Sequence, residues 1–339
     1  MTQLVNSEIS TAPITEPVRL ALFGCGQIAH EHARHISQDP RIVITTLYDL
    51  LPSSAEQFQQ KWARSASILS SIEAIASLRD SLDACLICTP TDLHFVHSRY
   101  CLEQGLPVLC EKPLAGSRKE IEELIHLSET TGHLLAVGYQ RRSCQLYKTM
   151  LREVSSGRWG KVRAISGHII ENWQQTIEGT WRDDPVHNRG GFIGDAGSHK
   201  IDSLFNVTGL KPVEVYAQTD KCGSQVEITA QVVAKFTEDV TVCIDFVGNG
   251  QYFAEDIHIH CERADIMVRN EKVWLGYQGE LTEITDLEPH STPISDFVSA
   301  LLGTGPNVAP PECALPVFDF TTAILESGRT KQRITLKTE

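Results

Sequence analysis

The chain has 339 residues, which is too long for one ordinary hydrophobic core and favours two domains. Its composition, 41% hydrophobic and 22% charged, is that of a globular protein. The formal net charge of −13 argues against nucleic acid as a partner, because phosphate neutralisation needs clustered lysine and arginine. No apolar run is long enough to span a membrane. The first residues lack the basic start and apolar core of a secretory signal, so residues 1–16 are expected to form a flexible leader.

Ten cysteines occur in the sequence, and free thiols in a reducing, cytoplasmic compartment are their expected state. Cys85 and Cys88 form the one close pair. They lie in an apolar run typical of a buried strand, whereas a redox pair would favour a helix start. The histidines show no metal-ligand spacing, so no metal site is predicted.

From Val18 onwards, short β-rich runs alternate with helical stretches. Strands are predicted at residues 18–24, 41–49, 84–90, 107–113 and 133–140, with helices at 27–37, 53–65, 91–105 and 117–132. Ser117 and Glu120 form a capping box at the start of the last of these helices. Such alternation predicts a parallel sheet with helices on both faces.

After about residue 140 the pattern changes to a helix, a strand, a second helix and then a meander of strands. The helices are predicted at residues 145–157, 190–209 and 318–328, and the strands at 161–170, 213–218, 226–236, 240–248, 256–262, 264–270, 272–277 and 330–336. Tight polar turns between consecutive strands predict a mostly antiparallel sheet. Its second, exposed face would need a cover, which favours self-association as a homodimer or homotetramer.

A glycine-rich turn follows the first predicted strand and opens the first helix. Gly24 permits a tight turn, Gly26 allows close approach of a pyrophosphate, and Ala29 is small enough for the helix to pack on the strand. Phosphates would meet the positive end of the helix, where Gln27 and Ile28 also lie. The pattern therefore indicates a dinucleotide site.

Asp49 ends the second predicted strand, 25 residues after Gly24. A carboxylate at this point accepts hydrogen bonds from the hydroxyls of the adenosine ribose. The next residues, 50–52, offer no cation for a 2′-phosphate, so NAD is favoured over NADP. An acid at a helix N-terminus is the competing interpretation, and it leaves the choice of cofactor open.

Asp195, His199 and Asp202 are spaced four and three residues apart within a predicted helix. At 3.6 residues per turn their side chains fall within a sector of roughly 60°. The spacing is typical of a polar helix face with a capping pattern and equally of a proton-transfer device, and by itself it does not separate the two.

Five segments, GCGQIA, ICTPTDLH, VLCEKPLA, VGYQRR and GDAGSHKID, occur in this order. With them the sequence resembles the glucose–fructose oxidoreductase and inositol dehydrogenase family (Gfo/Idh/MocA), over nearly the whole chain after Pro17. The resemblance implies an α/β fold. It consists of a Rossmann domain (residues 17–140), a substrate domain with a large open sheet (141–310), and a C-terminal segment (311–339) whose helix returns to the Rossmann domain.

The resemblance also implies roles for individual residues. Lys112, from the EKP triplet, would lie beside the nicotinamide and the substrate and polarise the reacting oxygen. His199 would accept the hydroxyl proton, as suits an imidazole with a free pKa of ~6.5. Asp195 would orient that ring. Asp202 is either a second orienting residue or a packing residue.

Further positions match family segments less specifically. In the cofactor site the resemblance implies Thr89, Pro90, His94, Glu111 and Arg182, although a helix cap and a surface histidine are alternatives for Thr89 and His94. Of Arg141 and Arg142, one is expected to face the site and the other to be solvated. Candidate substrate residues are Tyr139, Arg141 and Asn172, and candidate specificity residues are Glu171, Asn172, Trp173, His187 and Arg189, of which Trp173 could equally belong to the core.

The leading hypothesis is an NAD-dependent dehydrogenase of a secondary alcohol in a cyclitol, a sugar or a sugar derivative. Two alternatives remain. One is a glycosidase that oxidises its substrate transiently and regenerates NAD, so that NADH does not accumulate. The other is a non-catalytic nucleotide-sensing regulator, which the presence of both Lys112 and His199 disfavours.

Overall fold

The computed structural model describes residues 16–337, so the predicted leader lies outside the described residues except for Glu16. The described chain divides into two compact units. The first contains residues 16–111, Glu123–Ala136 and Ile294–Asn307, and the second contains Lys112–Glu122, Val137–Pro293 and residues 308–337.

Strands and helices alternate in the first part of the chain, as predicted. In order they are β1 (Val18–Phe23), α1 (Gln27–Ile36), β2 (Ile42–Tyr48), α2 (Pro52–Trp62), β3 (Ser67–Ile68), β4 (Ala84–Ile87), α3 (Thr91–Glu103), β5 (Val108–Cys110), α4 (Arg118–Thr131) and β6 (Leu135–Val137). Within the described residues they build a six-stranded sheet of order β3-β2-β1-β4-β5-β6, and β1 pairs in parallel with β2 and β4. This is the strand order of a Rossmann domain.

The central strands of this sheet are buried on both faces. All four residues of β4 and five of the six in β1 are inaccessible to solvent, which explains why they appear in the sequence as continuous apolar runs. Ser117 accepts the backbone N–H of Glu120 at 3.3 Å, so the predicted cap of α4 is present. The two-residue strand β3 was not predicted.

The later part of the chain is richer in strands. Its elements are α5 (Gln145–Ser155), β7 (Val162–Asn172), α6 (Trp173–Ile177), α7 (Gly191–Gly194), α8 (Ala196–Thr208), β8 (Pro212–Asp220), β9 (Thr229–Phe236), β10 (Val240–Val247), β11 (Asn249–Cys261), β12 (Asp265–Arg269), β13 (Lys272–Tyr277), β14 (Glu280–Ile284), α9 (Pro293–Leu301), α10 (Ala314–Thr330) and β15 (Ile334–Thr335). The helix predicted at 190–209 is broken at Asp195, which separates α7 from α8.

A nine-stranded sheet dominates the described residues of the second unit, in the order β14-β13-β12-β11-β7-β10-β9-β8-β15. Strands β7 and β10 are parallel, whereas the pairs β8–β9, β9–β10 and β11–β12 are antiparallel. The prediction of a mostly antiparallel sheet is confirmed. Burial alternates along β9 and β10, so that one face is covered while the other carries exposed side chains such as Val233.

The last long helix, α10, packs within the second unit, where its Asp319 forms an ion pair with Arg118 of α4, and its return to the Rossmann domain stays a prediction. Phe320 of α10 meets Phe205 of α8 and Phe236 of β9, with ring centroids 5.8 and 5.4 Å apart. Burial of these rings fixes α10 against the large sheet. Helix α9 lies in the first unit and places Phe297 in that unit's apolar core.

All ten cysteines are free thiols, and five of them are buried. None of the helices between residues 16 and 337 combines the length and the apolarity needed to cross a membrane.

Candidate active site

The glycine turn after β1 has the geometry that a dinucleotide needs. Gly24 has a φ of +86°, and a Cβ there would lie 2.6 Å from the carbonyl carbon of Cys88. At Gly26 a Cβ would meet no atom within 4 Å, so this turn is open on the side where a phosphate would approach. Gly26 directly precedes α1, whose N-terminus receives no side-chain cap. The backbone N–H groups of this first turn are suited to an anion.

Asp49 fastens this turn to the end of β2. Its Oδ2 accepts the N–H of Cys25 at 2.7 Å, and its Oδ1 accepts the N–H of Leu51 at 2.8 Å. The carboxylate therefore serves the start of α2, as the competing interpretation proposed. Each oxygen also has a second lone pair that suits a ribose hydroxyl. Turn, helix end and carboxylate together fit an adenine dinucleotide.

The segment after β4 is held by a buried histidine. His94 Nε2 lies 2.7 Å from the carbonyl oxygen of Thr89, and the side chain is buried, so the alternative of a surface histidine is wrong. Thr89 Oγ1 lies 3.1 Å from Nδ1 of His97, and Pro90 is exposed just before α3. After β5, the carboxylate of Glu111 lies 2.8 Å from His32 Nε2, so it is engaged with α1.

Lys112 and Asp195, distant in sequence, form a direct ion pair in the second unit. The Lys112 ammonium donates to Oδ1 of Asp195 at 2.6 Å and to its carbonyl oxygen at 3.1 Å. The Arg182 guanidinium donates to Oδ2 at 3.0 Å. Burial raises the pKa of Asp195, but Lys112 and Arg182 outweigh it and hold that pKa below its ordinary value. Asp195 therefore stays ionised and fixes two cations.

His199 lies in the first turn of α8 and is only 8% exposed. Its ring meets that of Tyr139 edge-on, with centroids 6.1 Å apart. Its Nδ1 is buried and has no hydrogen-bond partner among residues 16–337. Burial, together with Lys112, Lys200 and Arg141, lowers the pKa of His199 well below its ordinary value of 6.5, so the imidazole is neutral at pH 7.

One expectation about this helix needs correction, and one open alternative is decided. Both carboxylate oxygens of Asp195 bind cations and not the imidazole, so Asp195 does not orient His199. Asp202 is fully buried and forms a bidentate ion pair with Arg142, with Arg142 nitrogens 2.7 and 2.9 Å from its two oxygens. It therefore has the packing role that was the alternative to orienting His199.

The two neighbouring arginines are both engaged, so neither is merely solvated. Arg142 binds Asp202, and Arg141 binds Glu255 of β11. Their charges are matched by carboxylates from α8 and from the large sheet respectively. Tyr139, just before them, is buried, and this raises the pKa of its phenol well above the ordinary value, so the hydroxyl stays protonated.

The candidate specificity residues have different surroundings. Asn172 ends β7 and donates to Gln175 at 2.7 Å, and Trp173 packs on Phe192 as part of the core. Glu171 binds Lys200. His187 and Arg189 are both exposed.

Sequence reasoning missed Lys200, which acts on His199, and Glu255, which pairs with Lys200. Lys200 is the next residue along α8, and Glu255 is two residues before the buried Ile257, so period-two alternation places it on the covered face of the sheet. This two-residue spacing from a buried isoleucine was the sequence signal that could have identified Glu255. Among residues 16–337 no group of three or more histidine, cysteine or acidic side chains is arranged to hold a metal ion.

A Rossmann sheet joined to a second domain with a large open sheet places the chain among the two-domain dinucleotide-binding proteins. Residues 18–139 match the family model described as an oxidoreductase family with an NAD-binding Rossmann fold. Residues 147–267 match the GFO/IDH/MocA C-terminal domain. The chain belongs to the GFO/IDH/MocA family of oxidoreductases, and its first domain is an NAD-binding Rossmann domain.

Among its relatives are the inositol 2-dehydrogenase of Rhizobium meliloti, 28% identical over 200 residues, and the D-glucoside 3-dehydrogenase of Escherichia coli, 24% identical over 207 residues. These alignments cover 59% and 61% of this chain, but only 58% of either relative.

Solved structures share the fold over almost the whole chain. The inositol dehydrogenase homologue of Azotobacter vinelandii complexed with NAD⁺ has a TM-score of 0.83 at 17% identity and covers 97% of this chain and 100% of its own. The WlbA dehydrogenase of Bordetella pertussis in complex with NADH and UDP-GlcNAcA has a TM-score of 0.80 at 20% identity, with coverages of 95% and 99%.

Proposed function

We propose that this protein is an NAD-dependent dehydrogenase that oxidises a secondary alcohol of a cyclitol, a sugar or a sugar derivative. The observation that carries the proposal is the buried, neutral imidazole of His199 beside an ammonium, Lys112, that Asp195 fixes in place. The names of the inositol and glucoside dehydrogenases among the relatives support the substrate class.

Oxidation of an alcohol to a ketone removes a hydride from carbon and a proton from oxygen. NAD, when bound, supplies the hydride acceptor. His199 takes the hydroxyl proton as general base, and its low proton affinity keeps it in the accepting form at neutral pH. Lys112 stabilises the negative charge that develops on the oxygen. Asp195 holds the ammonium so that it does not reorganise during the reaction.

Chain continuity supports a role for Lys112 toward the cofactor. It follows β5 by two residues, and ligands of open parallel sheets bind outside the carboxyl ends of the strands. The EKP segment therefore leaves the Rossmann sheet at the cofactor edge. Arg182, through Asp195, belongs to the same charged group.

The test is a spectrophotometric screen for NAD⁺ reduction at 340 nm against cyclitols, aldoses and nucleotide sugars. Lys112→Ala and His199→Ala should each lower kcat by about 10²–10⁴-fold on the substrate found. NADH binding, followed by fluorescence, shows whether each variant is folded and loaded. Wild-type turnover in either variant would contradict its role. NADH that appears in proportion to product separates a dehydrogenase from a glycosidase that regenerates its cofactor.

Among residues 16–337, one face of the large sheet carries exposed side chains, and this supports a second proposal, that the protein is a homodimer or homotetramer. Tyr216 of β8 and Val233 of β9 are exposed large side chains on adjacent strands of this face. A second copy of the chain is the simplest cover for it. Light scattering with size-exclusion chromatography should show an oligomer for the wild type and a smaller species for Val233→Lys. A wild-type monomer would refute the proposal.

A further inference from the structure

A cluster of four charged side chains and one tyrosine lies next to the start of α8. We call it the Glu255 cluster, and it consists of Arg141, Tyr147, Glu171, Lys200 and Glu255. Glu255 Oε1 accepts from Arg141 and forms an ion pair with Lys200 at 3.1 Å, while Tyr147 donates to its Oε2 at 3.1 Å. Lys200 also binds Glu171 and donates to the carbonyl oxygen of Ala196 at 3.1 Å.

The cluster is largely buried, and its five residues come from five elements of the second unit. The Lys200 side chain is 3% exposed and that of Glu255 is 9% exposed. Both carboxylates come from the covered face of the sheet, because Glu255 pairs with Ile169, which is two residues from Glu171 on the same strand. Lys200, one turn after the start of α8, is thereby tied to β7 and β11 and, through its bond to Ala196, to the first turn of the helix.

Buried ion pairs are a poor way to stabilise a fold, since the cost of desolvation offsets most of their attraction. This cluster needs another reason, and its position supplies one. Lys200 is the neighbour of His199 in the chain, and Arg141 lies close enough to act on the imidazole. The charged groups that act on His199 are Lys112 from the segment after β5, Arg141 from the turn after β6 and Lys200 from its own helix, and the ring of Tyr139 contacts it edge-on.

The two carboxylates hold their cations in place without cancelling the effect on the imidazole. Burial raises the pKa of Glu255, but Lys200 and Arg141 outweigh it and keep that pKa below its ordinary value, so the carboxylate is ionised and the cations are anchored. Lys200 and Arg141 still disfavour a further positive charge on His199.

We propose that Lys200, held by Glu255 and Glu171, is a positioning residue that fixes the first turn of α8 and keeps the His199 imidazole unprotonated. The proposal deepens the proposed function and rests on His199 being the general base. Lys200 acts through His199 and through the helix, not by touching the reacting atoms.

The experiment titrates His199 directly in the protein without cofactor, by NMR of ¹³Cε1-labelled histidine, with His199→Gln identifying the resonance. In the wild type the midpoint should lie well below 6.5. Lys200→Met should raise it by about half a pH unit or more, because one nearby charge at an effective dielectric of about 20 is worth more than that. Lys200→Arg keeps the charge and should restore the low midpoint.

Asp202→Asn is the matched control, because it also breaks a buried ion pair of α8 but removes no charge that acts on His199. We expect it to lower stability and leave the His199 titration unchanged. Arg141→Gln, which removes a second cation, should raise the midpoint as well and serves if Lys200→Met does not fold. Coincident titration curves for the wild type and the cation-removing variant would overturn the proposal.

Activity gives an independent readout once a substrate is known. The acid limb of the kcat profile should move to higher pH in Lys200→Met, with KM changed less than kcat, and Lys200→Arg should reverse the shift. A merely structural lysine would not move this limb. If no alcohol is oxidised but the NMR midpoint still moves, the proposed function fails while the electrostatic role of Lys200 stands.

Discussion

Replacing Gly24 by alanine should destabilise the first unit, and Gly26 two residues later provides the matched control. At Gly24 the backbone has a φ of +86°, which an L side chain rarely adopts. A Cβ there would lie 2.6 Å from both the carbonyl carbon and the oxygen of Cys88, and 2.7 Å from the nitrogen of Thr89. These are backbone atoms at the end of β4, where the Cys88 N–H donates to Phe23 at 2.7 Å.

Two contributions set the expected loss in the free energy of unfolding of Gly24→Ala. A left-handed backbone costs alanine roughly 1–2 kcal/mol. Overpacking against atoms that do not rotate away costs about 1–3 kcal/mol more. We therefore expect Gly24→Ala to lower the free energy of unfolding by about 2–5 kcal/mol, a large fraction of the stability of a typical domain. At Gly26 the φ is −79° and the space is empty, so alanine should cost less than about 1 kcal/mol.

Urea unfolding followed by circular dichroism measures the stability of both variants, and NADH fluorescence measures binding. Gly26→Ala should remain near wild-type stability yet bind NADH at least about tenfold more weakly, because its methyl group occupies the space that the pyrophosphate needs. If Gly24→Ala unfolded at the wild-type midpoint, the reasoning from close backbone contact would be refuted. Unchanged NADH affinity in Gly26→Ala would refute the placement of the phosphates.

Three further outcomes are expected. Arg142→Ala leaves the fully buried Asp202 without its ion-pair partner and should cost about 3–5 kcal/mol in urea unfolding, whereas a loss below 1 kcal/mol would contradict this. Because the pKa of His199 is lowered, the unfolded chain binds more protons than the folded chain below about pH 6.5. Stability should therefore fall as the pH drops below that value, and His199→Gln should flatten this part of the curve of Tm against pH. Asp49→Ala removes the carboxylate that would accept the ribose hydroxyls, so it should weaken NADH binding by about tenfold and reduce the preference for NADH over NADPH. Calorimetric titrations measure both dissociation constants, and an unchanged ratio of the two would exclude that contact.

The first sheet was predictable because its strands are covered on both faces and appear as continuous apolar runs. The glycine turn could be located for the same reason, since it lies at the end of such a run, and Asp49 could be located because it directly follows the second strand. The local sequence of a single helix does not specify which of the two hydrophobic cores the helix packs against. Helix α9 packs in the first unit although it lies more than 150 residues beyond β6 in the chain, and no signal within its own sequence indicates this.

Asp195, His199 and Asp202 show the same contrast, within the site, between what local pattern predicts and what tertiary packing decides. Helical spacing predicted that His199 and Asp202 share α8, and the structure agrees. The partners come from elsewhere, with Lys112 83 positions from Asp195 and Arg142 60 positions from Asp202. Tertiary packing pairs these groups, so the spacing identified the face but not the role of each residue.

The partners then give three similarly spaced residues different chemistry. Asp195 is ionised and binds two cations, Asp202 forms a structural ion pair with Arg142, and His199 stays neutral. The two cations Lys112 and Arg182 share the single carboxylate of Asp195, so this group keeps a net positive charge, and its Lys112 acts on His199. Such a field stabilises an alkoxide and, by the same sign, opposes an imidazolium. Oxidation needs the neutral imidazole and reduction needs the protonated one, so we expect this arrangement to favour alcohol oxidation at neutral pH and carbonyl reduction only in acid.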